Sequence, residues 1–184
     1  MHRRIGPSIV VLVLIGVMWG SARGAAEPSE SREYLLKAAF VYNFAKFIEW
    51  PAGAFAQPRD PLLLCTIGTE PFGAALASID GKIVRDRPLE IKRLGGSDDP
   101  NACHMVFLTM SDKGRMTQVL QSLQRLPVLT ISDTEGFLQV GGMINFFMAQ
   151  NKIQFEINNE TAQRVGLTIS SQLLKLAMPE RDGR

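Results

Sequence analysis

The chain has 184 residues, with 20 Lys and Arg against 18 Asp and Glu, 46% hydrophobic side chains and two cysteines. Three of the arginines, Arg3, Arg4 and Arg23, precede residue 27 and no acid does, so the remainder carries 17 basic and 18 acidic side chains. That balance leaves no electrostatic footprint for nucleic acid, and the length beyond residue 26 suits one domain with a sizeable core.

The first 26 residues have the order of a secretory signal peptide: Arg3 and Arg4, then Ile9 to Trp19 apolar apart from Gly16, then the small residues from Gly20 to Ala26. Cleavage near Ala26 and export to the periplasm are expected. An apolar run of about a dozen residues is short of the ~20 that span a bilayer, so no membrane span is expected in the mature form. No cysteine follows the run to carry a lipid. Residues 27–33 are polar, contain Pro28 and read as a flexible lead-in; 34–178 read as the single domain and 179–184 as a C-terminal tail.

Tyr34 to Trp50 lacks Gly and Pro and stops at Pro51, as a helix does before proline. Leu36, Phe40, Phe44 and Phe47 share one face, with Val41, Ala45 and Ile48 beside it, so most of this helix must be covered. Leu62–Ile67 is a short apolar run between Pro61 and Gly68, expected as a buried strand, and Pro71 suits the first turn of a helix from Phe72 to Ile79. Residues 82–84 and 89–92 alternate around Arg87-Pro88 like a hairpin. Met105–Leu108 and Pro127–Ile131 read as further buried strands, with a helix between them capped by Ser111 or Asp112. Met143–Phe147 and Ile153–Ile157, separated by Gln150-Asn151, read as an antiparallel hairpin. Asn158 or Asn159 then caps a short helix ended by Gly166, and Leu167–Ala177 offers Ile169, Leu173, Leu176 and Ala177 as a last apolar stripe. Strand–helix alternation followed by a hairpin predicts an α/β fold, a mixed sheet with helices on both faces in a three-layer α/β/α sandwich.

Catalytic chemistry is hard to find. There is no G-x-S-x-G motif, and beyond the leader His104 is the only imidazole. A Cys103–His104 dyad is disfavoured because neighbouring strand residues point to opposite faces. His104 is expected at a strand start, with its ring on a loop or in solvent. Gly68–Gly73 sits where phosphate loops occur but lacks the Lys-Ser/Thr that completes one, so it reads as a tight turn. Gly141-Gly142 reads as a bulge or a close backbone approach. No catalytic residue, cofactor or metal site is expected, and the chain is read as a non-enzyme.

Three features remain. Cys65 and Cys103 in an exported chain read as a disulfide, with a metal pair or buried free thiols as alternatives. Lys82, Arg85, Arg87, Lys92 and Arg93, interleaved with Asp86 and Glu90, read as a charged edge hairpin, with an acidic-partner site as the minority reading. The aromatic end of the first helix, Phe47, Trp50 and Pro51, is the candidate partner-binding anchor, although core packing explains most of those rings.

The segment Lys37-Ala38-Ala39-Phe40-Val41-Tyr42-Asn43-Phe44-Ala45-Lys46-Phe47-Ile48-Glu49-Trp50-Pro51 resembles the opening signature of the YfiR/HmsC-like family of periplasmic proteins. Further matches follow in order: Cys65-Thr66-Ile67-Gly68, Pro71-Phe72-Gly73, Gly81-Lys82, Arg87-Pro88 and Cys103-His104. Ser132-Asp133, Gly136-Phe137, Gly141–Ile144, Phe155–Asn158 and Ser170–Leu174 complete the set. The resemblance implies an α/β sandwich, often dimeric, that binds the periplasmic region of an inner-membrane diguanylate cyclase, represses it and so lowers cyclic di-GMP and biofilm formation. It also carries the family's cysteine pair onto Cys65 and Cys103. A second pair found in some members near the C-terminal hairpin has no counterpart here. The alternative reading is a periplasmic small-molecule sensor acting on a different membrane partner, with Gly68–Gly73 and Asp133–Gly142 as the places to seek a pocket.

Overall fold

A computed structural model of the chain describes residues 29–68, 72–95 and 98–180. The expected signal peptide lies outside these residues, as do the middle of the Gly68–Gly73 turn and the end of the C-terminal tail. Among the described residues, no helix is long and apolar enough to cross a membrane.

The fold is α/β and its main sheet is mixed, as expected. The chain runs α1 (Ser29–Phe47), β1 (Ile48–Glu49), β2 (Leu62–Gly68), α2 (Phe72–Leu76), β3 (Ile83–Val84) and β4 (Arg87–Leu94). It continues through β5 (Met105–Thr109), α3 (Lys113–Leu123), β6 (Leu129–Ser132), β7 (Ile144–Ala149), β8 (Lys152–Ile157), α4 (Asn159–Arg164), β9 (Thr168–Ile169) and α5 (Ser171–Leu174). Seven strands form one sheet in the order β3-β4-β2-β5-β6-β7-β8. The pairs from β4 to β7 are parallel, and antiparallel hairpins close both edges.

The central parallel strands β2, β5 and β6 are largely buried on both faces, which is why they read as apolar runs, whereas β4 exposes Glu90, Lys92 and Arg93. In β5, Met105 and Phe107 join one apolar cluster with Ala38, Val41, Phe44 and Ala45 of α1. Val106 and Leu108 join a second cluster with Met116, Leu120 and Leu123 of α3. Each strand thus sends alternate side chains to opposite faces, and helices supply both clusters.

Local chemistry accounts for the boundaries. Asp112 accepts from the Arg115 amide at 3.1 Å to start α3, and Asn158 accepts from the Thr161 amide at 2.9 Å to start α4. Gln150 and Asn151 both take positive φ, the twist a two-residue hairpin turn requires.

Several expected boundaries are corrected. Helix α1 begins at Ser29, so residues 29–33 of the expected flexible lead-in are helical; no breaker follows Pro28, and Glu33 pairs with Lys37 one turn on, at 2.7 Å. The helix ends at Phe47, three residues before Trp50. Ile48 and Glu49 instead pair antiparallel with Ile169 and Thr168, which buries Ile48 completely. The Ser170 amide donates to the Phe47 carbonyl at 2.9 Å, satisfying one of the acceptors left at the helix end. Helix α2 stops at Leu76, short of Ile79. The last apolar stripe is not one helix: Ile169 lies in β9 and Leu173 in the four-residue α5, capped by Ser170.

Candidate functional site

Strand pair β1–β9 carries the chain from α1 into a loop, residues 50–61, that runs beside the amino ends of the parallel strands. Between this loop and the β3–β4 hairpin lies an open cleft of about 770 Å³. Its walls include Trp50, Pro51, Phe55, Gln57, Leu62, Arg85 and Arg87, with Glu49 and Asp86 at the rim.

The loop is held by a stack of three side chains. The Phe55 ring lies 4.2 Å from the His104 imidazole, centroid to centroid, with the planes 14° from parallel. The Arg87 guanidinium stands 3.7 Å from the same Phe55 centroid. Two groups so close to one ring can only occupy its opposite faces. Arg87 Nη1 also donates to the Gln57 and Asp60 carbonyls at 3.1 and 2.7 Å. One arginine therefore satisfies two loop carbonyls and covers the loop's aromatic side chain.

His104 is the hub. Its Nδ1 accepts from the Leu63 amide at 3.0 Å, and its Nε2 lies 3.1 Å from the Ala54 carbonyl. An Nδ1 that accepts carries no proton, so this network assigns the neutral Nε2–H tautomer, donating to Ala54. Burial holds the imidazole below its usual pKa, and the Arg87 charge acts in the same direction against the opposing effects of Ala54 and Asp60. The His104 carbonyl accepts from Trp50 Nε1 at 3.2 Å and from the Leu129 amide at 2.9 Å. The ring rests on the loop, as expected, and not in solvent, and the residue as a whole joins β2, β6, the loop and the cleft wall.

The structure separates the sequence-derived candidates. Trp50 and Pro51 line the cleft. Phe47 does not; it packs against the core beneath α1. Cys65 and Cys103 form a disulfide with their Cα atoms 6.0 Å apart, and both are buried in the cluster under α3. Gly68 packs its Cα against the carbonyl of Thr109, and Phe72 stacks on Phe107 at 4.1 Å, so the described ends of that turn serve packing. Gly142 lies directly against the Phe137 ring, the close approach expected of it, and Gly141 with Val140 borders a smaller hollow of about 220 Å³. Of the basic residues of the β3–β4 edge, Arg85 and Arg87 reach the cleft wall.

No motif or spacing points to the meeting of Phe55, Arg87 and His104. The one signal was Phe55 itself, the only aromatic residue among the small and polar residues of 52–61.

Among the described residues, no Ser, Thr, Cys, His or Tyr side chain lines the cleft and no metal-binding group of His, Cys, Asp or Glu occurs. The wall offers aromatic surface, two guanidinium groups and two carboxylates, which suit recognition. A family model described as YfiR/HmsC-like matches residues 34–178, a span that runs from within α1 past α5 and contains every residue of the cleft.

Proposed function

The chain belongs to the YfiR/HmsC-like family, and from that premise we propose that it is a periplasmic regulatory protein that works by binding. Its target in this reading is the sensor region of an inner-membrane diguanylate cyclase, which it holds inactive, lowering cyclic di-GMP and biofilm formation. The observation that carries the binding half of the proposal is the cleft beside Trp50 and Pro51. It is open and walled by side chains fixed in a stack. A repressor needs higher affinity for the inactive state of its target, and a preorganised aromatic–arginine surface provides affinity at low ordering cost.

The reading places the protein in the periplasm after removal of a leader near Ala26, where an oxidising milieu suits the Cys65–Cys103 bond. It treats the chain as a non-enzyme, with Trp50 and Pro51 rather than Phe47 as the anchors. It also takes the two apolar clusters as the two faces of a three-layer α/β/α sandwich.

Deleting the gene and quantifying cyclic di-GMP and surface attachment tests the proposal. Both should rise, and both should return to normal when the gene is restored. Unchanged levels would remove the repressor role.

One observation favours a second reading, a sensor of a small molecule. The cleft volume falls within the range of about 300–1,000 Å³ that small-molecule sites occupy. Native mass spectrometry of protein taken from periplasm separates the two, because a tight ligand adds a discrete mass and a protein-only regulator shows the bare chain.

A further inference from the structure

We propose that the outer face of the β3–β4 hairpin, together with the last turns of α1, docks an acidic segment of the partner protein in which an apolar side chain lies among carboxylates. The inference rests on the regulatory reading above and supplies its surface and its chemistry.

The face is built around Tyr42. Its hydroxyl donates to the Ile83 carbonyl at 2.9 Å, tying α1 to the edge strand. Lys46 Nζ lies 4.0 Å and Lys82 Nζ 5.4 Å from the centre of its ring. Arg85 Nη2 reaches the Lys46 carbonyl and Glu49 Oε1, both at a long 3.4 Å. Two cations thus flank one ring and a third, Arg85, stands at the end of the same helix, in a chain whose charges beyond residue 26 nearly cancel. Beside them Ile83 is 56% exposed, whereas its neighbour Val84 is buried in the core.

Arg85 carries the argument furthest. Its φ of +53° lies in the left-handed region, where Gly or Asn would be cheaper. Its side chain is half exposed and makes no short bond. The two-residue turn that joins Val84 to Arg87 requires that φ, as at Gln150, so Arg85 presents its charge at the exposed tip of the hairpin. Arg85 also lines the cleft, so the charged face is continuous with the Trp50 and Pro51 wall. Arginine and aromatic side chains around a small apolar knob form the typical centre of a protein interface. A protein is favoured over an anionic bilayer because Glu49 and Asp86 stand among the cations and would repel a uniformly negative surface.

The test titrates the processed full chain against the purified periplasmic region of the diguanylate cyclase, at low and high salt. A parallel series uses phosphatidylethanolamine vesicles containing phosphatidylglycerol. Wild-type binding to the sensor region should weaken as salt rises, and Arg85→Glu and the double variant Lys46→Glu/Lys82→Glu should each weaken it at least tenfold. Arg85→Gly should weaken it several-fold while raising the Tm, because glycine relieves the strain as the contact is lost. Wild-type affinity in all these variants would overturn the inference and leave the regulatory reading standing. Vesicle binding by the wild type that fails in the same variants, with no binding to the sensor region, would overturn it in favour of a lipid surface. Failure of the wild-type chain to bind either probe sinks both readings.

Discussion

Trp50 Nε1 donates to the backbone carbonyl of His104 at 3.2 Å, across 54 residues of sequence. The bond fixes the cleft's main aromatic wall to the start of β5, and it makes the indole a reporter. Beyond residue 26 Trp50 is the only tryptophan. Trp50→Phe keeps most of the packing and removes the donor, so it should cost about 1 kcal/mol of stability in urea titration. In the unmodified protein, occupation of the cleft should change tryptophan emission.

His104 predicts a dependence on acidity. Its pKa is held below the usual value of 6.5 in the folded state, so the unfolded chain takes up the proton first as pH falls. The stabilisation is complete above about pH 6.5 and is lost progressively below it. Thermal melts should show a level Tm from pH 8 to 7 and a decline below 6.5. His104→Gln should flatten that decline. An unaltered decline in the variant would assign the acid sensitivity to other groups.

The disulfide closes a loop with a sequence separation of 38 and lies buried beneath α3. Replacing both cysteines with serine should cost about 4 kcal/mol by loop-closure entropy. Thiol labelling of the denatured, unreduced protein should find no free thiol, and the bond should resist reductant until the fold opens.

Gly142 supports the buried Phe137 ring so closely that an added Cβ would overlap it. Gly142→Ala should therefore destabilise by about 1–3 kcal/mol through overpacking, even though no positive φ is involved. A neutral result in denaturant titration would mean that Phe137 repacks freely.

Lys37 is 5% exposed, with its Nζ 2.7 Å from both Glu33 and Asp133. Burial lowers its pKa, but the two carboxylates outweigh that effect and the net shift is upward. Lys37→Ala should cost about 3 kcal/mol, since it leaves Asp133, largely shielded from solvent, without its cation. The measurement is again a urea titration.

What the sequence made legible follows from where its signals are local. Met105–Leu108 read as a buried strand because both of its faces are covered, and Asn158 or Asn159 read as a cap because such a bond spans only three residues, Asn158 being the one that makes it. Trp50 and Pro51 stood out by residue type. By contrast, the end of α1 at Phe47 was hidden, because Ile48 leaves the helix to pair with Ile169, 121 positions later. The Phe55–Arg87–His104 stack was hidden for the same reason: three loops and strand ends meet that no periodicity relates. His104 looked incidental because a single histidine has no spacing to interpret. Its importance lies in two backbone partners, the Leu63 amide and the Ala54 carbonyl, that only the fold brings within reach.

The regulatory account can be tested on the enzyme it concerns. Membranes carrying the diguanylate cyclase are supplied with GTP, and cyclic di-GMP synthesis is timed with and without the purified, processed protein on the periplasmic side. The account predicts that the rate falls to a plateau as the protein saturates its target. It also predicts that Arg85→Glu shifts the midpoint to at least tenfold higher concentration. An unchanged rate at saturating protein, with the sensor region folded and exposed, would contradict it.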